Sequence, residues 1–182
     1  MRIHSWALVA SLTTASFLSA CSPEQNWREV GFEGAALKAQ LPCKPDRTSR
    51  SVPLGGVPTP LQVVGCESGH AMVAVMTAPL QAGADPQAVL AGWQQATLGH
   101  AGVKQPLSAS QQQAWLRPGF LPLAAAVRVQ AQGQRSDGQA VFMQAVWGAV
   151  SEGDHVRVVH AVVYDRRDPH DVAASLFDGI RP

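Results

Sequence analysis

Gln139–Tyr164 reads QAVFMQAVWGAVSEGDHVRVVHAVVY, and its pattern decides the fold class. Two apolar, β-branched runs flank Ser151-Glu152-Gly153-Asp154, a turn composition, so the stretch is a hairpin. Pairing Val150 with His155 sets Val141, Met143, Ala145, Trp147 and Ala149 opposite Tyr164, Val162, His160, Val158 and Val156. That is a core face almost throughout. The other face mixes Phe142, Val146, Val159 and Val163 with Gln144, Arg157 and His155, and is expected to be covered in part at most.

Working outward, Ala125–Gln132 is a further strand, joined to the hairpin through Ser136-Asp137-Gly138, where Asp-Gly signals a tight turn. Downstream, Asp168-Pro169 opens a helix with Asp168 as its cap and Asp171 placed as in a capping box. Val172, Ala173, Leu176, Phe177 and Ile180 form its apolar stripe. Upstream, strands are expected at Ala35–Leu41, Arg47–Leu54, Leu61–Cys66 and His70–Ala78. Pro58 and Pro60 demote the start of the third to an edge or loop. Asp85-Pro86 opens another helix, with Asp85 as cap, that carries Val89, Leu90, Trp93, Ala96 and Thr97 on one face. Between Ala101 and Leu123 the signals are weak, with strands suggested near Val103–Ser108 and Gln113–Leu116. Hairpins in place of βαβ crossovers give an α+β domain over 27–182, an antiparallel sheet packed by two main helices.

The N-terminus carries an address. Arg2 and His4 precede the apolar run Trp6–Leu18, a signal-peptide layout too short to span a bilayer. Its end, Leu18-Ser19-Ala20-Cys21, resembles the bacterial lipoprotein box. The resemblance implies cleavage after residue 20 and acyl chains on Cys21, with 21–26 as a short linker. Two or more chains hold stably where one holds marginally. Ser22 after the cysteine favours, by the same resemblance, the periplasmic side of the outer membrane. Cys43 and Cys66 then remain as an even pair, expected to form a disulfide.

Three segments carry a second resemblance: Leu41-Pro42-Cys43-Lys44-Pro45, Gly65-Cys66-Glu67, and Tyr164 with Leu176-Phe177-Asp178-Gly179. The chain resembles a group of uncharacterised proteobacterial lipoproteins, with a layout similar to the Mog1/PsbP-like α/β/α sandwich. The motifs are structural, so the resemblance implies a fold and no activity.

The charges, 14 Lys+Arg against 13 Asp+Glu, balance without a basic run, so nothing points to nucleic acid. There is no G-x-S-x-G elbow, P-loop, Rossmann glycine pattern or H-E-x-x-H. No cofactor or metal is therefore expected. His155 and His160 are five apart on one strand and face opposite ways. His160, among Val158, Val162 and Trp147, reads as a hydrogen-bonded core histidine. Trp115 beside Arg117 is a candidate partner contact, although packing of Trp115 under its own loop is the more frequent case. Arg166 and Arg167, in the mixed-charge loop 165–168, are the other candidates. The expected function is a lipid-anchored, non-enzymatic binding or assembly accessory with an envelope partner. The alternatives are a periplasmic enzyme using His100 or His160 with a nearby Asp, and a small-molecule carrier.

Overall fold

The computed structural model describes residues 25–134 and 136–182. Residues 1–24, which include the stretch read from sequence as a signal peptide and Cys21, lie outside the described residues. The strands are β1 Arg28–Gly31, β2 Lys38–Leu41, β3 Asp46–Leu54, β4 Val57–Ser68 and β5 Ala71–Pro79. After helix α1, Pro86–His100, come β6 Gln112–Ala114, β7 Val127–Gln134, β8 Ala140–Glu152 and β9 His155–Asp165, then helix α2, His170–Asp178. β1 and β2 pair with each other, while the other strands form a seven-stranded sheet in the order β3-β4-β5-β9-β8-β7-β6. Every pairing is antiparallel. The described chain is thus α+β, a large antiparallel sheet with two helices.

The β8–β9 hairpin pairs Glu152 with His155 and Val150 with Arg157, two residues away from the expected register. The turn closes over Gly153 and Asp154 alone, with Gly153 at φ 63°, a conformation glycine adopts without strain. Side chains alternate with period two, so a slip of two residues leaves every face unchanged. Trp147 still faces the same way as His160, now directly across from it. Met143, Ala145, Trp147, Ala149, Val158 and Val162 pack beneath Val89, Leu90 and Leu98 of α1.

The second face departs from expectation. Val146, Val159, Ala161 and Val163 are buried there, and so are Gln144 and Arg157. The β1–β2 hairpin, α2 and Trp115 all lie on this face and share one core with it. Arg157 survives burial because Nε donates to Glu152 Oε2 at 2.7 Å and Nη2 to the Gly34 carbonyl at 3.1 Å.

Local signals held where chemistry is short-range. Asp85 Oδ1 accepts from the Gln87 N–H at 2.9 Å, and Pro86 opens α1. Ala96, expected on the packed face, points outward instead. At α2 the cap is Pro169, with no side-chain cap bond. Asp168 is spent elsewhere: Oδ1 accepts from Gln144 Nε2 at 2.7 Å and Oδ2 from Gln130 Nε2 at 2.8 Å. Gln144 has no exposure, and a buried amide must be satisfied. Asp171 pairs with His170 at 3.2 Å and closes no capping box.

Residues 103–108 form no strand, and the weak middle stretch contributes only the short β6. Pro58 and Pro60 lie within β4, in its edge segment, which is the first of the two expected alternatives. The β4–β5 register begins only at Gln62, so residues 57–61 have a neighbour on one side, where proline is tolerated. β1 had no signal of its own. Its strand partner β2 ends at Leu41, and two residues on Cys43 is bonded to Cys66 of β4, with Cα atoms 6.0 Å apart. A bridge over a separation of 23 residues contributes about 3 kcal/mol in the chain-entropy model.

Candidate functional site

α1 starts beside the β3–β4 turn, where an added Cβ on Gly55 would meet Val89 at 3.0 Å. It ends against β7, where the Ala101 carbonyl accepts from the Gln134 N–H at 3.0 Å. That junction is tight enough to require glycine. A Cβ on Gly133 would lie 1.9 Å from the Ala101 oxygen, and one on Gly102 would lie 2.5 Å from the Gln134 oxygen. No side chain fits there, so the end of α1 is fixed over one end of the sheet.

The fixed end leaves a cleft of about 610 Å³. Met72 of β5 and Tyr164 of β9 are direct cross-strand partners and form its floor with Val141 of β8. His100, Ala101 and Gly102 make one wall, Ser136 and Asp137 of the β7–β8 turn another. Met72 is 46 % exposed, one of the exposed large apolar side chains with Val57 and Leu116. Burial holds the Tyr164 phenol above its ordinary pKa, so it is protonated at neutral pH. Asp137 Oδ1 accepts from the Gln139 N–H at 3.0 Å, an Asx-type turn. Among the described residues, no hydrogen bond joins His100, Ser136, Asp137 and Tyr164 to one another. An apolar floor with dispersed polar groups can grip an amphipathic molecule or segment.

His160 takes no part in this cleft. It is 1 % exposed, stacked on Trp147 at 4.5 Å between centroids and edge-on to Trp93 at 5.2 Å. Its Nδ1 meets the Val146 carbonyl at 3.0 Å. Burial holds its pKa down at about 4, only partly offset by that hydrogen bond.

The residues singled out from sequence are scattered. Trp115 is 6 % exposed and packs edge-on to Phe120 at 4.8 Å, so its ring turns inward. Gly148 of β8 makes room for it, since a Cβ there would lie 2.8 Å from the indole. Arg117 is engaged at the end of α2, where its guanidinium donates to Asp178 Oδ1 at 2.9 Å and to the Asp178 carbonyl at 3.1 Å. Arg166 and Arg167 stay exposed, their backbone N–H groups bound by Asp165 Oδ1. Arg166 and Met72 share a small recess with His70 at the same end of the sheet as the cleft. Met72 and Tyr164 were missed in sequence because each sits in a strand among core residues. The only available signal was that the Met72 strand begins just after a turn.

Among the described residues, no group of three or more His, Cys, Asp or Glu could hold a metal ion. No described helix is long and apolar enough to cross a membrane. The chain matches no protein-family model, and no curated protein matches it.

Proposed function

We propose that the chain is a lipid-anchored envelope protein, held through Cys21 on the periplasmic side of the outer membrane. In this reading it is a non-enzymatic binding or assembly accessory that recognises an envelope partner through the His100–Tyr164 cleft. The observation that carries it is the cleft's make-up. An exposed methionine and a half-buried tyrosine form an apolar floor, and the polar groups around it are separate contacts with no relay between them. Recognition sites have that composition. A general base is normally oriented by a hydrogen-bonded partner, and among the described residues His100 has none. In the same reading the fold is a Mog1/PsbP-like sandwich. α1 on one face of the sheet and α2 on the other agree with a Mog1/PsbP-like α/β/α sandwich.

The second reading, an enzyme using His100 with a nearby carboxylate, draws on one fact: Asp137 lines the same cleft. Photo-crosslinking in the native envelope separates the two. A photoreactive residue at His100 is expected to capture an envelope component that the same residue at the fully exposed Asp154 does not. Equal capture at both positions, or none at either, overturns the cleft as a recognition site. Turnover by the purified protein that His100→Ala abolishes would establish the enzyme reading instead.

A further inference from the structure

The cleft and the start of the described chain lie at the same end of the sheet. The Asn26 N–H donates to the Pro42 carbonyl at 2.7 Å, and the next residue, Cys43, is bonded to Cys66 near the end of β4. Cys66 pairs with Val73, and Val73 with Val163. One residue further along these strands, Met72 pairs with Tyr164 on the cleft floor. At the other end of the β1–β2 hairpin, the Gly34 carbonyl binds Arg157 beside the β8–β9 turn. The hairpin therefore runs the length of the sheet, and the chain enters at the cleft end.

Reach then limits orientation. Cys21 to Asn26 is a span of about 18 Å at most, fully extended at ~3.5 Å per residue. β8, Ala140–Glu152, is about 40 Å long at ~3.3 Å per residue. A bilayer holding Cys21 is thus within reach of the cleft end and out of reach of the β8–β9 turn unless the domain lies flat. The two ends also differ in charge. The cleft end exposes Lys44, Arg166 and Arg167, with Asp46, Glu67 and Asp137 among them, so cations and anions balance there, while the far end exposes Asp85 and Asp154. Cations at a phospholipid surface are attracted and anions repelled.

We infer that the cleft end of the sheet rests on the phospholipid surface that holds Cys21. Arg166, Arg167 and His70 contact headgroup phosphates, and Met72 is directed at the lipid. The inference rests on the anchor reading above. It adds that the rim of this face, His70, Arg166 and Arg167, meets the membrane, and it makes access of the envelope partner to the cleft a matter of lifting or tilting the domain.

The test uses the mature lipidated chain reconstituted into vesicles of phosphatidylethanolamine and phosphatidylglycerol that carry a headgroup nitroxide. A fluorophore is attached at Met72→Cys, at His70→Cys as a second near position, or at Asp154→Cys. Both near positions are expected to be quenched several-fold more than Asp154→Cys, and reversal of Arg166 and Arg167 to Glu is expected to reduce that excess. Equal quenching at near and far positions overturns the orientation. The intact mass of the same preparation reports the anchor separately. A diacylglyceryl adduct with equal quenching leaves the anchor standing and removes the orientation, whereas an unmodified Cys21 removes both.

Discussion

At the scale of the residue, His160 shows what burial does to a titrating group. Two tryptophans and a backbone carbonyl surround it, and its pKa falls from 6.5 to about 4. The folded state therefore refuses a proton that the unfolded chain accepts. Between those two values the unfolded state binds more protons, so stability rises with pH across that window. A shift of this size corresponds to roughly 3 kcal/mol lost from pH 7 to pH 4, with no further loss from this group at lower pH. Urea unfolding of the wild type should show this slope, and His160→Gln should flatten it. Exposed groups such as Asp154, whose pKa the neighbouring His155 lowers, remain in both proteins and cancel in the comparison. The core placement of His160 was legible from the apolar alternation around it. Its contact with Trp93 was not, because that side chain arrives from a helix 67 positions earlier in the chain, 160 against 93.

At the scale of the element, the two helices are started differently although both begin at Asp-Pro. Asp85 caps its own helix, while Asp168 reaches across the sheet to Gln130 and Gln144. The difference lies in what is nearby. Gln144 is buried, already donated to by Arg128 at 2.6 Å, and needs an acceptor for its own amide. Removing that acceptor should cost about 1–3 kcal/mol. Asp168→Ser separates the two roles. Serine caps a helix as well as aspartate does, but one hydroxyl cannot serve both glutamine amides. Urea denaturation should find Asp168→Ser destabilised nearly as much as Asp168→Ala, whereas a capping role would leave the serine variant near wild type.

At the scale of the whole molecule, the sheet has open edges at β3 and β6. β6 is only Gln112–Ala114, too short to recruit a partner strand. β3 is long, but it exposes Arg47, Ser49, Arg50 and Ser51 and carries Pro53 before its end. Charge and proline along an edge discourage pairing with another chain. Arg47→Val combined with Arg50→Val should therefore promote concentration-dependent association, visible by analytical ultracentrifugation at concentrations where the unmutated protein sediments as a monomer. Unchanged sedimentation of the double variant would show that something else protects this edge.

Strands, turns, the Asp85 cap and the paired cysteines could be read directly from the sequence, because each depends on neighbours within a few positions or on parity along a strand. Parity also explains why the face assignment of β8 and β9 survived a register displaced by two residues. The tertiary structure alone decided the rest. It placed β1, β2 and α2 over the second face, turned Trp115 onto Gly148, diverted Asp168 from its cap, and brought Met72, His100 and Tyr164 to one cleft. Each of these depends on contacts between residues far apart in the chain, and the alternation of apolar and polar side chains carries no record of which distant segment will cover a given face.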